Sequence, residues 1–141
     1  MKPQFLALLT AMAWGVGGYF EKKGLQLGHL SPQVGIALRT AVALLILGVV
    51  SFPEWKSIQY AGPRALLYLT IGGGVVAGSL GMLCWYAAIM GAPLGRVMPI
   101  AFTSPMFGAL MGFLFGGEAI TVRTVLGMMM TGGGIALLTA R

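Results

Sequence analysis

Arg39 is the residue in this sequence whose type and position point most directly to chemistry. It is the sixth residue of the apolar stretch 34–52, which holds no other charge. An ionised group at membrane depth costs about 2.5 kcal/mol or more, so we expect Arg39 to have a function. Its guanidinium fork suits the carboxylate or phosphate of a bound molecule, or an ion pair with Glu21. The alternative is a side chain that snorkels to the membrane interface.

Three further charged residues lie at the ends of apolar stretches. Glu21 and Lys22 follow the first stretch. They either anchor the chain at the membrane interface or form an ion pair that gates a cavity mouth. Glu118 closes the fourth stretch. It either caps a helix that starts near Thr121 or contributes to a gate.

Four aromatic residues are candidates for the lining of a substrate cavity: Trp14, Tyr19, Trp85 and Tyr86. The alternative is an interfacial belt, which explains Trp and Tyr near the ends of membrane spans. Trp14 lies deeper in its stretch than the others, which favours the cavity for this residue.

Two hydroxyl residues, Thr103 and Ser104, lie between Pro99 and Pro105. Each proline kinks a helix and frees backbone carbonyls, which small hydroxyls satisfy again. The same local polarity near the membrane midplane is typical of substrate sites in transporters.

The composition defines the elements that must position these residues. Hydrophobic residues make up 57% of the 141 residues and charged residues 9%, against roughly 25% charged in soluble domains. This rules out a soluble or a disordered chain. The net charge of +6 is scattered without a basic stripe, so we predict no nucleic-acid partner. No metal-ligand cluster, phosphate-binding loop or paired carboxylates occur, so we predict no cofactor and no enzyme.

The hydropathy pattern predicts an all-α integral membrane protein with a single domain over residues 1–141. Five apolar stretches are long enough to cross a bilayer, and short turns connect them. A short interfacial helix is expected within residues 53–64. The predicted spans are residues 4–20, 34–52, 65–90, 97–116 and 124–140.

Lys and Arg are balanced between the two sides that five spans would create. Each side carries four in its loops and termini, and Arg39 lies nearer the side of the first loop. Because the Lys and Arg bias sets orientation, this balance favours insertion both ways and an antiparallel homodimer of ten helices. The alternative is one orientation, fixed by a small bias or by the translocation machinery.

Small residues are spaced by four on the later spans. Such spacing lets two helix backbones approach closely. It indicates either a dimer interface or packing within one subunit, and the residues concerned are Gly108, Gly112, Gly116 and Gly132.

Several short motifs occur together, in order, along nearly the whole chain. They resemble the EamA-type repeat of the drug/metabolite transporter superfamily. The motifs are Trp14-Gly15 with Lys22, Ser31-Pro32 with Arg39, Tyr86-Ala87-Ala88, and Pro105 with Gly117-Glu118.

The resemblance implies a polytopic exporter that normally holds two inverted five-helix repeats. This chain has one repeat, so it would pair with a second, inverted copy of itself. We therefore expect a secondary transporter of a small metabolite or drug-like solute, acting by alternating access in the inner cell membrane. The alternatives are a flippase for a lipid-linked sugar or phosphate, and an accessory subunit without transport of its own. Unlike the smaller multidrug-resistance relatives, the first span holds no acidic residue.

Overall fold

The computed structural model describes residues 2–117 and 119–140, and these residues contain helices and no strand. Four of the main helices follow a proline or hydroxyl start signal, as their sequences predict. The main helices are α1 (Pro3–Gly28), α2 (Pro32–Ser51), α3 (Pro63–Gly91), α4 (Leu94–Gly116) and α5 (Val122–Thr139).

The first helix is longer than the apolar stretch 4–20 that predicted it. The charged run after Phe20 does not end α1, because Glu and Lys are good helix formers. The helix ends instead at His29, whose backbone is left-handed with φ 48° and whose N–H caps the carbonyls of Leu25 and Gln26. Glu21 therefore lies inside a helix and not in a loop.

The second helix begins with a hydroxyl cap and ends in a tighter turn. The Ser31 hydroxyl accepts a hydrogen bond from the Val34 N–H at 3.4 Å. A 3₁₀ helix, Phe52–Tyr60, follows α2, and the Trp55 indole donates to the Ser51 hydroxyl at 2.8 Å. This segment is the short helix expected after the second span.

The third helix changes its hydrogen-bonding pattern along its length. It is α-helical over Pro63–Leu67, π-helical over Tyr68–Gly81 and α-helical again over Met82–Gly91. Long π-helical stretches are rare, and the sequence pattern did not predict this one.

The fourth helix is interrupted at the position that its prolines predict. Leu94–Ala101 and Ser104–Gly116 are separated by Phe102 and Thr103. The Thr103 hydroxyl donates to the Ile100 carbonyl at 2.8 Å, which satisfies an acceptor near the break. The helix ends at Gly117, whose φ of 68° favours glycine.

The five helices divide into two compact units, α1–α3 and α4–α5. In the first unit the C-terminal end of α1, the N-terminal end of α2 and the C-terminal end of α3 pack together. The buried apolar side chains of this unit lie there: Leu25, Ile36, Tyr86 and Ile89. We call these four residues the apolar seal. In the second unit, Leu94–Ala101 packs against α5.

Four helices among the described residues are long and apolar enough to cross a membrane: α2 with its 3₁₀ extension, α3, α4 and α5. The chain is therefore a multi-pass membrane protein. The first helix has 26 residues but includes the run Glu21-Lys22-Lys23, and it is not among the four.

Candidate functional site

Glu21 is the centre of a polar cluster that joins all three helices of the first unit. Its Oε1 lies 2.9 Å from the Arg39 Nε. Its Oε2 accepts a hydrogen bond from the Trp85 indole at 3.0 Å. We call Glu21, Arg39 and Trp85 the junction cluster.

Helical spacing explains why these residues meet. Residues three or four apart share one face of a helix. Buried Gly18 and Leu25 flank Glu21 on α1, and Ile36 precedes Arg39 by three residues on α2. On each of these two helices, the charged residue therefore lies on the same face as the buried residues.

The junction cluster lies about one helical turn deeper in the unit than three of the four residues of the apolar seal. Leu25 follows Glu21 by four residues toward the end of α1, and Ile89 follows Trp85 by four toward the end of α3. Leu25, Ile36 and Ile89 are thus nearer the common end of the three helices. Tyr86 follows Trp85 by one residue and lies close to the level of the junction cluster. The charged groups are consequently covered on that side by buried hydrocarbon, because the seal side chains are at most 9% exposed.

Gly35 allows the seal to close. A Cβ atom at this position would lie 2.5 Å from Leu25 Cδ2 and 2.9 Å from Tyr86 Cε1. Such distances are far below van der Waals contact, so only glycine permits this approach of α1, α2 and α3. The role of Gly35 could not be predicted from the sequence, because it depends on neighbours from two other helices.

The two charges of the cluster differ in exposure. The Glu21 side chain is 19% exposed and the Arg39 side chain 43% exposed. Glu21 is held from several sides by protein donors, whereas Arg39 is the partner that molecules outside the unit reach first. The structure places Arg39 in an ion pair, which is one of the three arrangements that the sequence left open.

The other aromatic candidates on α1 lie outside the cluster. Trp14 is 61% exposed, and it precedes Glu21 by seven residues, so it projects from the same side of α1. Tyr19 stacks edge-on against Phe20 at 5.5 Å and lies under the Lys23 ammonium at 5.9 Å. A cavity role for Trp14 and Tyr19 stays a prediction. Lys22, the residue after Glu21, is half-buried.

The kinked segment of α4 borders an apolar cleft in the second unit. The cleft has a volume of about 460 Å³. Ser104 starts the second half of α4 and is exposed. The cleft is lined by Thr103, Met106, Phe107, Leu110, Ile120 and Met128.

The small-residue positions of α4 and α5 differ in their surroundings. A Cβ atom at Gly132 would lie 3.9 Å from Met106 Cε of the same chain, so this glycine packs within the subunit. Gly108 has open space around it. Gly112 is half-buried and Gly116 is exposed. A dimer interface along these three α4 residues stays a prediction.

Glu118 lies outside the described residues. The cap of α5 is provided by Thr121, whose hydroxyl accepts from the Thr124 N–H at 3.2 Å. The helix start that was expected near Thr121 is confirmed.

These features define a class: a multi-pass helical membrane protein with an ion pair beside the packed end of a three-helix unit. The chain belongs to the EamA-like transporter family, whose profile it matches over residues 1–140. This confirms the resemblance that the sequence motifs indicated.

Individual relatives match to different extents. An uncharacterized transporter in the cobO 3' region of a Sinorhizobium species is 27% identical over 137 residues, which cover 96% of this chain and 94% of the relative. An uncharacterized protein of Pseudomonas aeruginosa is 30% identical over 135 residues, covering 96% of this chain and 45% of the relative.

A third relative carries a more specific name. A probable 4-amino-4-deoxy-L-arabinose-phosphoundecaprenol flippase subunit, ArnF of Aeromonas hydrophila, is 36% identical over 81 residues, covering 55% of this chain and 54% of the relative. No solved structure matches the chain.

Proposed function

We propose that this protein is a secondary transporter that exports a small, anion-bearing metabolite across the inner cell membrane by alternating access. The observation that carries the proposal is the Glu21–Arg39 ion pair, covered by the apolar seal. Alternating access requires one end of the pathway to be closed while the other is open. A sealed end with a breakable polar contact beneath it meets that requirement.

The ion pair has the chemistry of a gate that a substrate opens. Glu21 links α1 to Arg39 on α2 and to Trp85 on α3. Separating the pair would leave two partly exposed charges without a partner, at a modest cost. A substrate carboxylate or phosphate on Arg39 replaces Glu21 as the counter-charge and lowers this cost. The greater exposure of Arg39 makes it the group that the substrate meets.

We propose that α1 is the fifth membrane span. Its 26 residues extend for about 39 Å, against a hydrocarbon core of about 30 Å. One end can therefore carry Glu21, Lys22 and Lys23 close to the interface while the rest crosses the bilayer. The balanced Lys and Arg residues support insertion in both orientations.

One copy supplies one five-helix repeat, and a second, inverted copy supplies the other. The Sinorhizobium relative, which this chain covers almost completely, fits a transporter of one repeat. The Pseudomonas relative, of which the chain covers 45%, fits two repeats joined in one polypeptide. The proposed assembly is an antiparallel homodimer of ten helices.

A flippase for a lipid-linked sugar is the second candidate. The match to the ArnF flippase subunits, over about half of each chain, favours it. Arg39 would then bind the phosphate of the lipid. The word "subunit" in the name of this relative also keeps an accessory role open.

Reconstitution into proteoliposomes tests the proposal. We expect efflux of at least one probe among radiolabelled amino acids and a radiolabelled sugar phosphate. Arg39→Ala should reduce that efflux by at least about tenfold, because the substrate loses its charged partner. Arg39→Lys keeps the charge without the bidentate fork and should fall in between. Arg64→Ala, at an exposed arginine in the first turn of α3, is the matched control and should leave efflux unchanged.

The second arm of the experiment uses a fluorescent polyprenyl-phosphate sugar in the same vesicles. Movement of this lipid without efflux of any soluble probe would favour the flippase. Efflux that is unchanged in Arg39→Ala would remove Arg39 from the site. Movement of neither kind of probe would contradict transport by this chain alone.

A further inference from the structure

The middle of α3 has an unusual backbone conformation, to which the proposal above gives no role. Fourteen residues, Tyr68–Gly81, are π-helical, with hydrogen bonds that close five residues back along the chain. Most π-helical turns in proteins are single bulges inside α-helices, and they occur frequently at functional sites. We call this stretch the π segment.

Side-chain geometry in the π segment shows the same five-residue spacing. The Ser79 hydroxyl donates to the carbonyl of Gly74 at 3.0 Å. A Cβ atom at Gly78 would lie 3.0 Å from the carbonyl oxygen of Gly73, and one at Gly81 would lie 3.4 Å from that of Val76. The closer of the two approaches is that of the Gly73 carbonyl to Gly78. The π geometry is tolerated there because Gly78 has no side chain.

The π segment directly precedes the residues that close the gate. Trp85 donates to Glu21, and Tyr86 and Ile89 belong to the apolar seal. All three lie on Met82–Gly91, the α-helical end of α3. Any change in the hydrogen-bond register of the π segment rotates and translates this end relative to Pro63–Leu67.

We infer that the π segment is the moving element of the gate, and that it converts to α-helix when the sealed end opens. A return to four-residue hydrogen bonding tightens each turn and lengthens the segment along its axis. The end of α3 then turns, and the Trp85 indole leaves Glu21. This inference rests on the proposed transport function, but the conversion itself is measurable without a substrate.

Gly78→Ala isolates the conversion. The new methyl group meets the Gly73 carbonyl in the π form only, since the α-helix brings no atom of the residue five positions back to this distance. Alanine also favours the α-helix. Gly72→Ala, in the same segment, adds the same helix propensity, but its Cβ meets nothing within 4 Å. The difference between the two variants therefore reports the π-specific contact.

Pulsed electron paramagnetic resonance between two spin labels measures the length of the segment. One label is placed on Cys84, which is exposed, and the other on Leu67→Cys, at a position 60% exposed. A continuous α-helix separates these Cα atoms by about 25 Å, and the π segment makes the separation shorter. Labelled protein in nanodiscs is diluted with excess Cys84→Ser protein, so that only distances within one chain are recorded.

We expect the distance to lengthen toward the α-helical value in Gly78→Ala and to stay unchanged in Gly72→Ala. Gly81→Ala, with its looser contact, should give a smaller lengthening. Efflux of the transported probe should fall about tenfold in Gly78→Ala, because one conformer becomes dominant. Efflux in Gly72→Ala should match the parent protein.

Three results would overturn the inference: equal distances in all variants, equal lengthening in Gly78→Ala and Gly72→Ala, or a lengthened segment with unchanged efflux. Failure of the proposed function looks different. In that case no probe moves in the parent protein, while the distance measurement still decides whether the π segment converts.

Discussion

At the scale of single residues, Glu21 organises the sealed end because it accepts donors from two other helices at once. Its carboxylate meets the Arg39 guanidinium at 2.9 Å and the Trp85 indole at 3.0 Å. The charge of Glu21 serves the ion pair, and the oxygen facing Trp85 serves a hydrogen bond. These two contributions are separable by substitution.

Glu21→Gln keeps the size of the side chain and one oxygen acceptor but removes the charge. We expect the free energy of unfolding to fall by roughly 1–2 kcal/mol, since Arg39 loses its partner at a partly exposed position. Thermal unfolding in detergent measures this change. Glu54→Gln, in the exposed 3₁₀ helix after α2, is the control and should have no effect. Equal unfolding temperatures for Glu21→Gln and the parent would show that the pair contributes nothing.

Gly35→Ala tests the close approach at the seal. The added methyl group would lie 2.5 Å from a Leu25 carbon and 2.9 Å from a Tyr86 carbon, so the helices must separate. Overpacking of this kind costs about 1–3 kcal/mol, and we expect a lower unfolding temperature and a leaky sealed end. Efflux of a small dye from proteoliposomes measures the leak.

Gly48→Ala is the matched control for Gly35→Ala. It lies on the same helix, and its Cβ would meet nothing within 4 Å. We expect it to be neutral or slightly stabilising, because alanine favours the helix. A stable, tight Gly35→Ala protein would contradict the tightly packed seal.

At the scale of helices, the two units use glycine in different ways. In α2, Gly35 makes room for side chains of its own chain. In α4, Gly108 has open space and lies on a ridge with Gly112 and Gly116. Small-residue ridges of this kind let two membrane helices come close, and we predict that a helix of a second copy packs on this one.

Gly112→Leu should weaken the dimer, because a large side chain on the ridge keeps a second helix away. The measurement is the fraction of chemically cross-linked dimer in lipid and in detergent. Gly127→Leu on α5, outside the α4 ridge, is the control and should leave the dimer intact. An unaltered dimer in Gly112→Leu would assign the ridge to packing within one chain.

The sequence predicted the helices better than the contacts between them. Hydropathy located the helical stretches, and the prolines located the break in α4, because both act locally. The sequence also suggested Glu21 as a partner for Arg39, since few other charges are available at that depth. Gly35 escaped notice because its role arises only when Leu25 and Tyr86 pack against it.

Two features of the helices could not be predicted from the spacing of the apolar residues. The first helix continues past Phe20 because the charged run that follows is compatible with helix, although it is not apolar. The π segment differs from α-helix in its hydrogen-bond register, and hydropathy is insensitive to register. The end of the apolar stretch 4–20 therefore does not mark the end of the helix that contains it.

At the scale of the whole molecule, the chain is a multi-pass member of a transporter family, and four of its helices meet the criteria for crossing a membrane. Its Lys and Arg residues show almost no bias between the two predicted sides. Opposite insertion of two copies would supply the inverted repeat that transporter folds use. The proposed gate at one end of each copy would then face opposite sides of the membrane.

Topology mapping tests this central claim most directly. Reporters that are active on only one side of the membrane are fused in turn to the N-terminus and the C-terminus. The account predicts signal from both sides for each terminus, in comparable amounts. Added lysines in the segment 53–62, between α2 and α3, should shift the signal toward one orientation and reduce efflux, because inverted pairs become scarce. A one-sided signal for each terminus in a protein that still transports would contradict the antiparallel dimer.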